Sequence, residues 1–374
     1  MKKFLDCISI VGATPSKFHG TKKYVSTGAV ATTEIDESEV VEVTYEDRPS
    51  RANQSAEAGD ILFAKMQGTR KTLLLDSETE KNIYSTGFYA VRANPEVITT
   101  ECLYYLIDSE LFLAQKDKNC SGATQKAITN GGMAKIEISV PALSEQGILV
   151  DKLKHLTQLI SDKKKQLNLF DEIIKSRFIE MFGTLSSNEQ NFEVLTIESL
   201  CSLIKDGTHQ TPTYTEDTIN GFKFLSSKDV MSAKIDWSDI KYIPSDLHEK
   251  LYAVVKPIKN DILMSKNGVN YGVAAVNDTD EVFDIYVSLA LLRPKTDIIN
   301  PVYFRSAINS PDTKRQFDSS IKGIGVPNLH LGEIKKTKIL VPPVDKQNEY
   351  VSFVEQVDKS KYHGEFTCGM EVAA

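Results

Sequence analysis

The chain has 374 residues, 41% of them hydrophobic and 25% charged, a soluble folded composition that is too long for one ordinary domain and suits two. Its net charge of −7 excludes a protein that coats nucleic acid indiscriminately, though not one that binds it locally. No apolar run approaches a membrane span, and Asp6 interrupts the only stretch resembling a secretory signal. Five scattered cysteines with no C-x-x-C pair fit reduced thiols in a cytoplasmic protein better than a disulfide frame or a zinc site. In chain order, short apolar or alternating runs at 59–63, 88–92 and 136–140, bounded by Gly, Asn or Pro, predict strands. The spacing of Leu103, Leu106, Ile107 and Leu111 predicts a helix over 100–114.

After Pro141 the pattern changes. Ser144 reads as an N-cap and Gly183 as a stop. Between them Leu149, Leu153, Leu156, Ile160, Lys163, Leu167, Phe170, Ile174, Arg177 and Met181 keep a 3-4 spacing. That is a coiled-coil seam interrupted by two basic residues. It would span roughly 50 Å and needs a second helix to cover it; an amphipathic helix packed on one domain is the alternative. Further strands are predicted at 261–264, 287–293 and 337–341, with a helix from Pro301 to 308. A last helix starts at Asp345 and carries Tyr350, Val354 and Val357, but Lys361 stands where Ile160 stood. It is expected to be short (342–363), and the tail 364–374 shows no period.

These elements recur because the chain contains itself twice. Adding 201 carries Asp60-Ile61-Leu62-Phe63-Ala64-Lys65 onto Asp261-Ile262-Leu263-Met264-Ser265-Lys266. The same shift carries Arg92 onto Arg293, Gly122 onto Gly323, Val140-Pro141 onto Val341-Pro342 and Gln146 onto Gln347. A shift of 200 carries Lys23-Tyr24-Val25-Ser26 onto Lys223-Phe224-Leu225-Ser226. Residues 1–141 hold 16 basic and 19 acidic groups, and 184–341 hold 18 and 20. Any surface facing an anion must therefore be one segregated face of each repeat.

Several stretches resemble the specificity subunits of type I restriction-modification systems. Asp206-Gly207-Thr208-His209-Gln210-Thr211-Pro212-Thr213-Tyr214 and Gly12-Ala13-Thr14-Pro15-Ser16-Lys17 are similar to the two openings of their recognition domains. Ser139-Val140-Pro141-Ala142-Leu143-Ser144-Glu145-Gln146, and again Val341-Pro342-Pro343-Val344-Asp345-Lys346-Gln347, resemble the strand-to-helix junction. Leu169-Phe170-Asp171-Glu172-Ile173-Ile174-Lys175-Ser176-Arg177-Phe178 resembles the end of the central helix. The resemblance implies an α+β chain of two tandem target-recognition domains, 1–141 and 184–341, separated by the spacer helix 142–183. It implies double-stranded DNA as ligand, each domain reading half of a split, asymmetric target. Methyltransferase and endonuclease/translocase subunits are the implied partners, holding S-adenosylmethionine, ATP and Mg while this chain holds no cofactor, and no membrane is involved. The shortened second helix departs from the family pattern and leaves self-association through the long helix open.

Sequence is read by donors and acceptors on base edges, while phosphate contacts set register. The loop after the first Asp-Ile-Leu strand offers Lys65, Gln67, Thr69, Arg70 and Lys71; its counterpart offers Lys266, Asn267, Asn270 and Tyr271. Gln67, Arg70, Asn267 and Asn270 are expected to read bases, and Lys65, Lys71 and Lys266 to hold phosphates. An ordinary solvated hairpin is the competing account, since Gly beside Asn is a common turn. Lys22, Lys23 and the pair Lys314-Arg315 are further phosphate candidates; His209, with Thr211 and Tyr214 nearby, shapes a loop or touches DNA; and Lys163-Lys164-Lys165 reads as solvent-facing, with DNA backbone or partner contact as the alternative. Helix packing is expected through Leu149, Leu153, Leu156, Ile160, Leu167, Phe170, Ile174, Tyr350, Val354 and Val357.

Neither catalysis nor a metal site is expected. His209 has no acid or nucleophile at a catalytic spacing. There is no Asn/Asp-Pro-Pro-aromatic tetrapeptide of an amino-methyltransferase and no phosphate loop; Gly68-Thr69-Arg70-Lys71-Thr72 only echoes one. A DNA-modifying enzyme and a protein-binding scaffold without a DNA role remain the alternatives.

Overall fold

A computed structural model describes residues 1–321 and 327–372, with 362–372 as backbone alone. The chain divides into two compact units, Met1–Ser161 and Asp162–Ala374. In the first, an antiparallel sheet runs in the order Ile8–Val11, Phe88–Ala93, Ile61–Ala64, Thr72–Leu74. A second sheet runs Val41–Val43, Lys22–Val25, Ile83–Ser85, Ala52–Gln54. In the second unit the corresponding sheets are Cys201–Asp206, Leu289–Pro294, Ile262–Ser265, Ala274–Val276 and Lys241–Ile243, Phe222–Leu225, Phe283–Ile285. The second sheet of each unit contains one parallel pair. The register repeats too: Ile61 opposes Val91 and Phe88 opposes Ala64, as Ile262 opposes Leu292 and Leu289 opposes Ser265.

The Asp-Ile-Leu strand is apolar throughout because it is buried on both faces. Ile61 and Phe63 pack on the helical side with Leu103, Ile107 and Phe112. Leu62 and Ala64 pack toward the second sheet with Val25, Tyr84 and Phe88. In the second unit Ile262 and Met264 meet Tyr303, Phe304 and Phe317, while Leu263 meets Leu225, Phe283 and Leu291. The expected helix 100–114 is two helices, Thr100–Ile107 and Glu110–Lys118. Ser109 divides them: its hydroxyl donates to the Leu106 carbonyl (2.6 Å) and accepts the Phe112 N–H (3.2 Å), an N-cap that apolar spacing alone does not reveal. The second unit repeats the break, Pro301–Ile308 then Pro311–Ser320, at Ser310.

The residues that coincide under the 201 shift are ties. Arg92 Nε lies 2.7 Å from the buried carboxylate of Asp60, and Arg293 Nε 2.8 Å from that of Asp261. The Gln146 amide accepts the Thr99 N–H (2.7 Å) and donates to the carbonyls of Val97 and Pro141, both at 3.1 Å. Gln347 does the same with Asn300, Ile298 and Pro342 at 2.8, 3.1 and 2.8 Å. Both glutamines are wholly buried, so each satisfies backbone groups that water cannot reach. Gln115 and Gln316 make a further doubled pair of bonds, to the backbones of Glu137 and Lys338. Gly323 lies outside the described residues.

The long helix, Leu143–Phe182, starts before Ser144, so the first turn is closed by Glu145 accepting the Ala142 N–H rather than by Ser144. Gly183 ends it at φ +69°, where a Cβ would lie 2.9 Å from the Ser187 carbonyl. Within the first unit the helix seats Val150 in the core and leaves Leu149, Leu156 and Ile160 38–39% exposed; Leu153 is half-buried. Within the second unit Ile174, Phe178, Met181 and Phe182 pack with Tyr350 and Val354, Val357 is buried, and Leu167 and Phe170 are half-buried. The last helix, Val344–Val372, begins one residue before Asp345. It also corrects the expected stop at 363 and irregular tail, for its backbone stays helical through Val372. Lys361 does not end it because its ammonium pairs with Asp171 and Asp358, and an isolated glycine costs a helix only about 1 kcal/mol. Among the described residues no helix is long and apolar enough to cross a membrane.

Candidate nucleic-acid interface

In the first unit, loop 65–71 leaves the end of Ile61–Ala64 and turns at Gly68 (φ +70°). Most of its cations are already engaged. Lys65 Nζ donates to the Thr86 carbonyl at 2.8 Å and lies 4.4 Å from the centre of the Tyr89 ring; burial pulls its pKa down. Arg70 is held by Asp108 at 2.8 Å and Glu110 at 2.9 Å, and its hydrogen bonds to Asp108 push its pKa up. Lys71 Nζ donates to the Thr27 carbonyl at 2.6 Å. Gln67 is exposed, its amide nitrogen 3.3 Å from the Asp117 carbonyl, and Thr69 is half-buried. Lys22 stands 5.3 Å from the Phe18 ring centre, and Lys23 pairs with Glu37 at 2.7 Å.

Beneath this loop lies Lys116, 2% exposed, which the sequence reading left out. Its ammonium donates to the carbonyls of Ala64 (3.3 Å), Met66 (2.9 Å) and Thr69 (2.8 Å). Burial lowers its pKa, and nearby Asp117 opposes the shift. Alongside runs a hairpin that the reading also missed. Ser121 and Ala127 exchange N–H···O bonds of 2.9 and 3.0 Å, Gln67 N–H donates to the Lys126 carbonyl (3.0 Å), and Ile128 N–H to that of Lys65 (2.9 Å). The signal available was Gly122, one of the repeated positions: at φ +138° a Cβ there would lie 2.4 Å from the Gln125 carbonyl.

In the second unit Asp206 gathers two of the named residues. Lys266 Nζ is 2.6 Å from its Oδ1, and His209 Nε2 3.6 Å from its Oδ2. Lys266 is 5% exposed, and both it and Arg70, expected to hold a phosphate and to read a base, are engaged in ion pairs here. Gly207 is required here, since a Cβ would come within 2.0 Å of the Ile285 carbonyl, which accepts the Thr208 N–H. His209 and Thr211 are exposed; Tyr214 packs edge-on against Phe224 with Lys241 Nζ 4.4 Å from its ring centre. Asn267 bridges to Asn328, its Oδ1 buried without a partner. The Asn270 side chain is exposed, and the Tyr271 hydroxyl donates to Asp318 beneath Lys314. Lys314 pairs with that Asp318, and Arg315 with Asp312. Lys163 reaches Gln166 and Lys165 reaches Asp162, both on the same helix, and Lys164 is exposed. Among the described residues no group of three or more His, Cys, Asp or Glu side chains is placed to hold a metal ion.

The chain is a tandem pair of α+β units sharing one long helix, each with polar loops at the end of its main sheet. The family model of the type I restriction modification DNA specificity domain matches twice, at residues 10–169 and 189–363, and the chain belongs to that family. It is 23% identical over 270 residues to the type I restriction enzyme EcoBI specificity subunit of Escherichia coli, covering 66% of this chain and 56% of that one. It is 22% identical over 327 residues to the EcoKI specificity subunit of Escherichia coli K12, covering 82% and 69%. The chain thus spans little more than half the length of the EcoBI subunit. A crystal structure of a type I restriction-modification S subunit from M. genitalium is 13% identical, covers 98% of this chain and 91% of that one, and superposes with a TM-score of 0.48.

Proposed function

We propose that this chain is the sequence-reading subunit of a type I restriction-modification complex, each repeat reading one half of a split, asymmetric duplex target. The carrying observation is the pair of units with one strand register and unlike loops at the same place: Lys65-Met66-Gln67-Gly68-Thr69-Arg70 against Lys266-Asn267-Gly268-Val269-Asn270-Tyr271. A shared frame with different loops suits two readers of different half-sites. Gln67, Thr69, Asn267, Asn270, His209, Thr211 and Tyr214 are the contacts kept from the sequence, with Lys22 and Lys23 toward phosphate. The exposed stripe Leu149, Leu156 and Ile160 is the docking face for methyltransferase subunits. Those and the endonuclease/translocase subunits carry S-adenosylmethionine, ATP and Mg and perform the chemistry in the cytoplasm, while this chain performs none.

The test is to sequence methylated positions in DNA from cells expressing the complete system. Two short specific blocks separated by a fixed unspecified gap are expected; one uninterrupted motif, or no motif, overturns the reading. Binding of duplex by the complex should also weaken steeply as salt rises. A scaffold would retain no DNA, and an enzyme would bind S-adenosylmethionine or ATP as the isolated chain. Light scattering of that chain tests self-association through the same stripe.

A further inference from the structure

Side chains that fold a loop and side chains that read a ligand are in competition, because a donor held inside the protein is not offered outward. In loop 65–71 the head groups of Lys65, Arg70 and Lys71 are held by Thr86, by Asp108 and Glu110, and by Thr27. In the adjoining hairpin the opposite holds. Thr124, Gln125 and Lys126 are exposed, and among the described residues their side chains make no hydrogen bond, ion pair or ring contact.

The backbone beneath them is nonetheless fixed. Hairpin and loop are stitched by Gln67 N–H to the Lys126 carbonyl and Ile128 N–H to the Lys65 carbonyl. Gly68 N–H donates to Asp117 Oδ2 at 2.9 Å. Lys116 binds three carbonyls of the Ala64–Thr69 backbone from the buried side. A merely solvated turn has no use for a buried ammonium under its neighbour, since burying one is costly unless its donors are satisfied. The stitching recurs in the second unit, where Gly268 N–H donates to the Pro327 carbonyl (3.1 Å) and Leu329 N–H to that of Lys266 (2.8 Å). Unsatisfied polar tips on an ordered ribbon are what a reader requires, because the ordering entropy is lost before the ligand arrives. In the major groove a side-chain amide matches the N6/N7 edge of adenine.

Resting on the functional reading above, we infer that hairpin 121–127 is the base-contacting edge of the first unit. Gln125 reads a base pair beside Gln67, Lys126 holds a phosphate, and Lys116 is the positioning residue for both loops. The experiment uses the full chain assembled with its methyltransferase subunits, with genomic methylation mapping and salt titration of duplex binding as readouts. Gln125→Ala should relax one position of one half-site, roughly a tenfold loss of discrimination, and leave the other half-site as in the parent. Lys126→Ala should keep the motif but reduce the slope of log affinity against log salt by about 0.9. Lys116→Met should blur several positions of that same half-site while the first unit keeps its parent hydrogen exchange outside the two loops; loss of protection throughout that unit would assign the blur to unfolding and overturn the positioning role. Gln125 and Lys126 sit at an exposed tip, so their variants test the assignment even where Lys116→Met folds poorly. An unchanged motif in Gln125→Ala with an unchanged slope in Lys126→Ala overturns the inference. A parent complex that methylates no specific sequence overturns the functional reading instead.

Discussion

The two units support the same loop by opposite chemistry. In the first, the helix Glu110–Lys118 sends a buried ammonium, Lys116, up to the loop carbonyls. In the second, the position 201 residues later is Phe317, fully buried, and the loop closes on its ring so tightly that a Cβ at Gly272 would lie 2.7 Å from it. There the buried ammonium belongs to the loop itself, as Lys266, and points at Asp206. The paired strands and glutamine ties are common to both. The frame therefore tolerates either a polar or an apolar prop under its loop, provided each prop is satisfied by its own neighbours.

Exchanging the props is the strongest way to break this comparison. Phe317→Lys should destabilise the second unit by about 4 kcal/mol, because its ammonium would replace a ring packed against Gly272. Lys116→Phe should cost the first unit about 3 kcal/mol by leaving loop carbonyls bare. Hydrogen exchange localised to each unit measures both, and a harmless exchange would show that the props are interchangeable. Next come the ties. Gln146→Ala and Gln347→Ala should each cost about 2 kcal/mol by stranding one buried N–H and two carbonyls, and by similar amounts if the repeats are equivalent.

A pH difference sharpens the contrast further. Burial raises the Cys201 thiol from 9.0 to about 12. The folded chain keeps that proton while the unfolded chain loses it, so the contribution is complete below pH 9 and fades as pH climbs toward 12. At pH 10 the loss is on the order of 1 kcal/mol, and Cys201→Ala should flatten it in denaturant titrations at pH 8 and 10. The smallest effect is expected at Lys23, whose ion pair with Glu37 is exposed on both sides. Lys23→Ala should change stability by less than about 0.5 kcal/mol.

The repeat was legible because strand register preserves sequence spacing: Asp60 to Arg92 and Asp261 to Arg293 keep one interval, and their ion pairs explain why. Only the C-terminal part of the long helix's 3-4 spacing meets its expected cover, where Ile174 and Met181 pack with Tyr350 and Val354, while Leu149, Leu156 and Ile160 stay exposed. The break at Ser109 was hidden because apolar spacing runs on through Leu111, and the length of the last helix because Lys361 looks like an interruption until Asp171 is found opposite it. The site was harder to read. Residue type made Arg70 and Lys266 attractive, but their partners, Asp108 and Asp206, are distant in sequence and close only in space. Lys116 looks like a surface residue on a polar helix, and hairpin 121–127 has no apolar period and acquires its neighbour only through long-range pairing.

Each repeat also closes on itself. Lys2–Lys3 pairs with Glu137–Ile138, and Glu193–Thr196 with Lys338–Val341. The two cuts that would excise a repeat thus fall on neighbouring strands, the geometry in which inserted segments are best tolerated. A foreign cassette flanked by the same two strands would fit such a gap without disturbing what precedes or follows it, since its ends would already be paired to each other.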